Sequence, residues 1–432
     1  MANNVLADAE LTRLRVALSF AFTPSVPVSD IDLFAGRSSQ ITQTLAAVGQ
    51  RGRHVILYGE RGVGKTSLAG LVHQFWATVS RTTDLLAVRY DRTPIDTFQS
   101  IWSNIAELLI DEFDKRGFAQ PGSSAWQELI GDMRAGEATP HSVRRLLDMA
   151  NKTLIIVIDE FNQIRHKDTT LLFSSTIKTL SDQAVDATFV LVGVAASVDE
   201  LIADHESISR ALAQVFMPRM KIDEVEELLT KGYERAGMLT DEGIIRLLAK
   251  LAQGLPHYGH RFGQEAGLAA VERRSRKVEH RDVAAAIERA VALTERSIRA
   301  AYQRATYSPQ TKTAKYREVL LACALANSDD QGYFAAGSLR DPLFRVTGKR
   351  WNIPQYVNHL KKFSGPAKGP VLQMTGEDWL RSYRFIDPLL RAYVVLRGME
   401  DQQIEEADLD RFVHRLGEEP SKKPDEQQNK LL

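Results

Sequence analysis

Hydrophobic residues in the first half of the chain form short continuous runs, separated by longer stretches in which apolar and polar residues recur at helical spacing. The short runs cover residues 54–58, 85–90, 153–158 and 188–194. A continuous apolar run of this length is typical of a strand buried on both faces. Helices are predicted to open at Lys65 and to cover residues 95–113. Strands alternating with helices predict a parallel sheet covered on both faces, within one α/β domain over residues 33–220.

The pattern changes after residue 220, where the strand-like runs stop and helical patterns follow one another. Helices are predicted over residues 223–236, 240–251, 257–273 and 281–306. Gly237 and the run Gly254-Leu255-Pro256 separate three of them, as glycine and proline interrupt helices. We expect a small helical lid over residues 221–306.

Residues 312–400 predict three helices followed by a hairpin, the order of a winged helix. The predicted helices cover 315–326, 339–346 and a stretch from Asn352, the strands cover 371–374 and 380–385, and 388–396 is a closing helix. The hairpin turn is Gly376-Glu377-Asp378. Residues 1–32 are predicted to be an N-terminal arm. Residues 401–432 hold nine acidic and five basic residues with few large apolar ones, which predicts a polar, disordered tail.

Composition narrows the classes of protein that fit this pattern. The 55 Lys and Arg residues balance the 55 Asp and Glu residues, so no overall field attracts nucleic acid or a basic partner. The single cysteine, Cys323, lies in an apolar run that predicts burial, and it excludes an intramolecular disulfide and a thiolate-rich metal site. No apolar stretch reaches the roughly 18 residues of a membrane helix, so we expect a cytoplasmic protein without membrane contact.

A phosphate-binding motif lies between the first strand and the helix at Lys65. The residues that would surround the nucleotide are Gly59, Glu60, Arg61, Gly62, Val63, Gly64, Lys65, Thr66 and Ser67. Glycines allow backbone N–H groups to point at phosphate oxygens, and the following helix adds the positive end of its dipole. We expect Lys65 to reach the β and γ phosphates and Thr66 to bind Mg²⁺. A glycine-rich turn with an unrelated lysine is the alternative, which the strand and helix on either side disfavour.

A pair of acidic residues ends the third predicted strand. Asp159 and Glu160 follow the apolar run 153–158, so a buried sheet would deliver both carboxylates to the phosphate end of its crevice. We expect Asp159 to hold Mg²⁺ and Glu160 to polarise the water that attacks the γ phosphate. A strand that merely ends in solvated acids is the alternative. Together with the phosphate motif, the pair predicts a three-layer P-loop NTPase core that binds ATP and hydrolyses it.

These motifs resemble the AAA+ and STAND branch of P-loop ATPases, especially the initiator-like members related to origin-recognition ATPases, over about residues 30–395. The run Leu33-Phe34-Ala35-Gly36-Arg37 resembles the element that lines the adenine site in that branch. The resemblance implies that Gly36 and Arg37 contact the base, although Gln40 stands where the branch has Glu. A plain turn before a helix is the alternative.

The resemblance also implies sensor residues, and here the sequence departs from the pattern. The strand 188–194 should carry sensor 1, yet no Asn follows it, and Ser197 is the nearest polar substitute. Pro256 and His257 stand where the lid's sensor 2 or G-x-P element would lie, and Arg261, one helical turn further on, is the second candidate. A structural role without nucleotide contact is the alternative for His257. Altered sensors favour slow turnover and a nucleotide-gated switch.

Arg210 carries the remaining feature of the resemblance. It lies in a segment that resembles the one supplying an arginine finger to a neighbouring subunit, which implies self-association in the ATP-bound state. A local salt bridge is the alternative for this residue.

Residues 311–400 carry fourteen Lys and Arg against eight Asp and Glu. Those placed on or near the third winged-helix helix are Lys349, Arg350, Lys361, Lys362 and Lys368. Winged helices bind DNA through this helix, and others bind proteins, so the output could be DNA or a protein partner. Two further functions stay open: a signalling or defence module of the STAND kind with slow or single-round turnover, and an adaptor that binds ATP without hydrolysing it.

Overall fold

The computed structural model of the protein describes residues 7–80, 84–91, 95–164, 166–194, 208–309, 314–376 and 381–405, without the side chains of 293–295. The chain divides into two compact units. The core unit is Ser25–Arg219, and the second unit joins Met1–Pro24 to Met220–Leu432. Ser197, Glu377 and Asp378 lie outside the described residues, as do residues 406–432 of the predicted tail.

Helix α1 (Asp8–Ala21) precedes the core unit along the chain and belongs to the second unit. The helices among the described residues of the core unit are α2 (Ser38–Val48), α3 (Lys65–Ser80), α4 (Phe98–Arg116), α5 (Ser124–Ala135), α6 (Pro140–Met149) and α7 (Lys167–Asp182). Its strands are β1 (His54–Gly59), β2 (Leu85–Asp91), β3 (Thr153–Asp159), β4 (Ala187–Val194) and β5 (Leu212–Phe216). Strands β1 to β4 confirm the prediction that the four apolar runs form strands. The sequence pattern missed β5, a five-residue strand interrupted by Gln214.

The five strands form one parallel sheet in the order β2-β3-β4-β1-β5. This sheet confirms the α/β class of a P-loop NTPase. Because all strands run the same way, the carboxyl ends of β1 and β3 lie at one edge of the sheet, with only β4 between them. That edge carries the phosphate motif after β1 and the two carboxylates at the end of β3, and parallel α/β sheets bind ligands at such an edge.

Four helices follow the core unit along the chain. They are α8 (Ile222–Ala236), α9 (Glu242–Ala252), α10 (Pro256–Glu272) and α11 (His280–Thr306), within two residues of the predicted lid helices at each end. Helix α1 packs against α8 and α10. The ring of Phe22 fills a space that exists because Gly232 and Gly263 lack side chains, since a Cβ on either would approach the ring to 2.4 or 2.6 Å. Part of the predicted arm over residues 1–32 is therefore a packed helix of the second unit.

Within residues 314–376 and 381–405, the C-terminal part of the second unit holds four helices and a three-stranded antiparallel sheet. The helices are α12 (Tyr316–Leu325), α13 (Arg340–Thr347), α14 (Ile353–Phe363) and α15 (Pro388–Glu400), and the strands are β6 (Phe334–Ala335), β7 (Leu372–Thr375) and β8 (Ser382–Phe385). The sheet order is β6-β8-β7, so the predicted hairpin gains a third, short strand. These elements follow the order predicted for a winged helix. Cys323 is buried in α12, as predicted.

The lid helices and the C-terminal elements contact each other inside the second unit. Helix α11 packs against α15, and the hydroxyl of Tyr258 donates to Asp387 Oδ1 at 2.5 Å. The predicted boundary between residues 306 and 312 therefore lies within one compact unit. Among the described residues, no helix combines the length and the apolar character needed to cross a membrane.

Candidate functional site

The loop between β1 and α3 has the backbone conformation that a phosphate-binding loop requires. Gly59, Gly62 and Gly64 have φ angles of 145°, 83° and 95°, values that favour glycine. A Cβ on Gly59 would also lie 2.4 Å from the carbonyl oxygen of Met217. Helix α3 begins at Lys65, so the amide groups of its first turn face the same edge of the sheet as the loop. This combination suits an anion such as a phosphate.

Lys65 lies within the loop, with only 6% of its surface exposed. Its Nζ donates hydrogen bonds to the carbonyl oxygens of Gly59 at 3.0 Å and Glu60 at 2.8 Å. Burial lowers the pKa of Lys65 from 10.5 to about 8, while the charges of Asp159, Glu160 and Glu60 act in the opposite direction. At neutral pH the side chain is therefore a cation held against the loop, close to both carboxylates at the end of β3.

Asp159 and Thr66 meet at the edge of the sheet. Asp159 is buried, and its carboxylate accepts from the backbone N–H of Glu160 at 2.8 Å and from the Thr66 side chain. Burial raises the pKa of Asp159, and these hydrogen bonds together with Arg89 limit the rise. A carboxylate and a hydroxyl are oxygen ligands of the type that Mg²⁺ prefers.

The described part of the chain holds no cluster of side chains that could form a metal site by itself. Across the described ranges, no group of three or more His, Cys, Asp or Glu side chains could hold a metal ion. Mg²⁺ is commonly bound through one or two protein groups plus phosphate oxygens and water, rather than in an all-protein cage. The pair formed by Asp159 and Thr66 beside a phosphate loop fits that mode of binding.

Arg89 also reaches this site, and the sequence reasoning missed it. It lies on β2, next to β3 in the sheet, and its Nη2 is 3.1 Å from Asp159 Oδ2. Its Nε donates to Asp91 Oδ1 at 2.9 Å. A Cβ on Gly70 would be 3.4 Å from Arg89 Nη1, so the guanidinium lies alongside α3. The one available signal was an arginine within an otherwise mostly apolar strand.

Glu160 adopts a left-handed backbone conformation, with φ of 54° and ψ of 31°. A residue other than glycine in this region costs about 1 kcal/mol or more, and such residues are common at functional sites. The exposed Glu160 carboxylate accepts from Gln163 Nε2 at 3.0 Å, within the 3-10 turn Phe161–Gln163. The sharp turn after β3 thus separates the two carboxylates: Asp159 is buried in the sheet and Glu160 faces solvent.

The end of β4, where sensor 1 was predicted, contacts this turn. The backbone N–H of Val194 donates to Asn162 Oδ1 at 2.9 Å. Ser197, the predicted polar substitute, cannot be placed because it lies outside the described residues. Asn162 is thus a polar side chain that the structure brings to the end of this strand, and the sequence reasoning did not single it out.

Gly36 and Arg37 lie beside the phosphate loop. Both have left-handed φ angles, 61° and 62°, and Arg37 directly precedes α2. The buried Arg37 guanidinium donates from Nη2 to the carbonyl oxygen of Val63 at 2.9 Å. Arg37 therefore supports the loop backbone directly, and contact with an adenine base stays a prediction. Nearby, the N–H of Val28 donates to the Ser67 hydroxyl at 3.1 Å.

Arg219 supports the loop from the other side. Its guanidinium makes a bidentate ion pair with the Glu60 carboxylate. The Arg219 side chain is almost completely buried, with 1% of its surface exposed. The N–H of Met217 also donates to the carbonyl oxygen of Tyr58 at 2.8 Å. The segment after β5 is thus held to strand β1 by one backbone bond and to the loop by one ion pair. Sequence reasoning treated this segment only as a domain boundary.

The remaining predicted residues make none of the contacts described above. Arg210 is exposed in the turn before β5. Pro256, His257 and Arg261 lie on the first turns of α10, in the second unit, where the His257 ring lies 4.0 Å from that of Tyr258. Their predicted roles toward a nucleotide stay predictions. Arg61, exposed at the tip of the loop, likewise stays a predicted contact.

Comparison with known proteins points to one family. The family model described as novel STAND NTPase 1 matches residues 24–267. A Walker-type ATPase of Pyrococcus abyssi superposes with a TM-score of 0.51 at 16% identity, covering 86% of this chain and 99% of that one. The Aeropyrum pernix ORC1 protein, solved in complex with DNA, gives a TM-score of 0.46 at 15% identity, covering 92% and 97%. No curated protein sequence matches. The first structural likeness supports the fold alone, because identity is so low.

Proposed function

The chain belongs to the novel STAND NTPase 1 family, and we propose that it binds ATP with Mg²⁺ and hydrolyses it slowly as a nucleotide-gated switch. The observation that carries this proposal is the grouping of Lys65, Thr66 and Asp159 at one edge of the sheet. A lysine against the phosphate loop and a buried carboxylate hydrogen-bonded to the first-turn threonine are what Mg²⁺·ATP requires.

Each residue in the grouping has a separate task in this proposal. The loop amides and Lys65 bind the phosphates, and Asp159 and Thr66 hold the metal ion, which neutralises phosphate charge when bound. Glu160, exposed one residue beyond Asp159, orients the attacking water and accepts its proton. The left-handed turn at Glu160 supports this division of labour, because it directs consecutive carboxylates to different surroundings.

The test compares two variants of the site with a control. Lys65→Ala should abolish ATP binding, because it removes the cation next to the β and γ phosphates. Glu160→Gln keeps the shape of the side chain, so ATP should bind while phosphate release stops. Lys178→Ala, which changes an exposed lysine on α7, should leave both unchanged. Calorimetric titration and phosphate release provide the measurements, and equal loss of binding in the first two variants would remove Glu160 from its proposed role.

A switch requires an output, and we propose that the second unit supplies it by binding a partner. Lys349, Arg350 and Lys361 are exposed. Lys362 donates to the Tyr316 hydroxyl at 2.9 Å, and Lys368 lies 4.0 Å from the centre of the same ring. Lys362 is exposed as well, so the exposed basic groups on and before α14 number four, Lys349, Arg350, Lys361 and Lys362. With so few phosphate contacts we expect a protein partner, or DNA bound with modest affinity, rather than tight duplex binding.

The signalling or defence alternative differs in turnover rather than in site chemistry. A module that stays locked with ADP would release about one phosphate per protein and then stop until a partner arrives. Continuous phosphate release in the purified protein would exclude that alternative. A non-hydrolysing adaptor would bind ATP and release no phosphate even in a single-turnover experiment.

A further inference from the structure

Two cations and one buried carboxylate share the end of β3. Asp159 lies near Lys65, whose Nζ is held by loop carbonyls, and it pairs directly with Arg89. The Asp159 side chain is 5% exposed, whereas that of Arg89 is 33% exposed. Asp159 Oδ2, the oxygen that Arg89 contacts, belongs to the carboxylate that the proposed function assigns to Mg²⁺.

Arg89 has a second partner further out. Asp91 is two residues along the same strand, its side chain is 68% exposed, and it accepts from Arg89 Nε. Arg89 Nη2 lies 2.9 Å from Asp91 Oδ1 as well as 3.1 Å from Asp159 Oδ2, so Arg89 can keep its contacts with Asp91 through Nε and Nη2 while Nη2 leaves Asp159. The structure thus provides one movable cation between an inner and an outer carboxylate.

Resting on the proposed function, we propose that Arg89 competes with Mg²⁺ for Asp159 and sets the Mg²⁺ concentration at which nucleotide is bound. When the metal ion binds, Arg89 exchanges its inner carboxylate for Asp91 alone. Asp159 is then paired with a cation in both states, with Arg89 before the metal ion binds and with Mg²⁺ afterwards. An unpaired carboxylate at 5% exposure would otherwise be unfavourable.

The direction in which Mg²⁺ binding changes when Arg89 is removed distinguishes competition from support of the metal site. Removal of the competing charge should tighten Mg²⁺ binding, since like charges within a few ångströms repel. If Arg89 instead held Asp159 in place for the metal ion, its removal would weaken Mg²⁺ binding. The outer carboxylate gives the opposite prediction: without Asp91, Arg89 has only Asp159 to pair with, and Mg²⁺ binding should weaken.

The experiment measures the Mg²⁺ concentration that half-saturates binding of a fluorescent ADP analogue to the full chain. We expect Arg89→Gln to lower this concentration about fivefold to tenfold and Asp91→Asn to raise it. In the Arg89→Gln background, Asp91→Asn should have no further effect. A persistent effect there would mean that Asp91 acts only as a distant charge, and it would overturn the exchange.

Arg89→Lys keeps the charge without the fork and serves if Arg89→Gln folds poorly. It should lower the half-saturating concentration by a smaller factor than Arg89→Gln. Thermal unfolding in EDTA shows whether each variant is folded. If the unchanged protein shows no Mg²⁺-dependent nucleotide binding, the proposed function fails. If it does, and both Arg89 variants leave the half-saturating Mg²⁺ concentration unchanged or raised, this inference alone fails.

Discussion

Arg219 donates two hydrogen bonds to Glu60, from Nε to Oε1 at 2.7 Å and from Nη2 to Oε2 at 3.1 Å. The arginine is the last residue of the core unit, and the glutamate is the second residue of the phosphate loop. The loop therefore has a direct ionic connection to the point where the chain leaves the core unit. A rearrangement of the loop that moves Glu60 would therefore strain or break the ion pair at residue 219. A displacement of Arg219 would strain or break the same ion pair at the loop.

We predict that Arg219→Met weakens both folding and nucleotide binding. The substitution leaves Glu60 without its bidentate partner, and we expect a loss of about 2 kcal/mol in the free energy of unfolding, since Glu60 is partly exposed. Arg219→Lys keeps the charge and should recover part of the loss. Chemical denaturation and ATP titration give the two readouts. Unchanged ATP affinity in Arg219→Met would mean that the ion pair stabilises the fold without shaping the loop.

A second prediction concerns Phe22 and Phe20, which lie two residues apart near the end of α1. Phe22 is fully buried, and Phe20 is 73% exposed. Phe22→Ala should reduce the free energy of unfolding by about 3 to 4 kcal/mol, because it opens a cavity between α8 and α10. Phe20→Ala is the matched control and should change it by less than about 0.5 kcal/mol. Similar effects of the two variants in thermal unfolding would contradict the packing of this segment.

The lowered pKa of Lys65 predicts a pH dependence with two opposite signs. Below about pH 8 the lysine is charged in both folded and unfolded protein, and its burial opposes folding. Between about pH 8 and the unfolded value of 10.5, only the unfolded state holds the proton, so this group makes the fold more stable as pH rises. ATP affinity should fall over the same range, since the neutral amine attracts phosphate less.

Lys65→Met is the control for that titration, because it has no proton to lose. Its unfolding free energy should lack the rise above pH 8 that the unchanged protein shows. ATP affinity of the unchanged protein and urea unfolding of both proteins between pH 7 and 10 would check both signs. A parallel pH dependence of unfolding in the two proteins would assign the effect to other groups.

Arg210 gives a prediction about self-association. If it completes the site of a neighbouring subunit, Arg210→Ala should lower phosphate release about a hundredfold or more without weakening ATP affinity. Mixing Arg210→Ala with Glu160→Gln tests this directly, since each variant supplies the residue that the other lacks. Activity that returns on mixing, together with ATP-dependent light scattering, would support a shared site. A monomer that remains fully active without Arg210 would contradict it.

Binding to DNA is the fifth prediction, and the contacts of Lys362 refine the choice of variant. Lys361→Glu combined with Lys349→Glu changes two exposed lysines without disturbing the bond from Lys362 to Tyr316. We expect any duplex binding to be salt-sensitive, roughly micromolar or weaker, and abolished by this pair. Lys178→Glu in the core unit is the control of equal charge. Fluorescence anisotropy at two salt concentrations gives the measurement, and no binding at low salt with ATP would favour a protein partner.

The parts of the site that could be predicted from the sequence are those in which the functional residues and the element that positions them lie within one short segment. The phosphate loop joins one strand to one helix, and Asp159 and Glu160 end the next-but-one strand, so their chemistry could be predicted from neighbouring residues. Arg89 and Arg219 could not be found in this way. Their partners are set by strand order and by the path of the chain after β5, neither of which a local pattern encodes.

The packing of α1 could not be predicted from the sequence for the same reason, because its partners are distant along the chain. The sequence predicted only an arm over residues 1–32, and nothing in its apolar residues indicates which surface they cover. Their partners are α8 and α10, which the sequence places about 200 residues further on. Gly232 and Gly263 accommodate the Phe22 ring. Nothing in the sequence around these two glycines indicates that an aromatic ring packs against them.

The position of α1 also has a consequence for folding during synthesis. Ribosomes make the chain from its N-terminus at about 5 to 20 residues per second, so α1 emerges roughly 10 to 40 s before α8. During that interval the core unit can fold, whereas the apolar face formed by Leu11, Leu14, Leu18 and Phe22 has no partner yet. We expect the nascent chain to present this face to ribosome-associated chaperones, and the second unit to finish folding only after translation has passed the core.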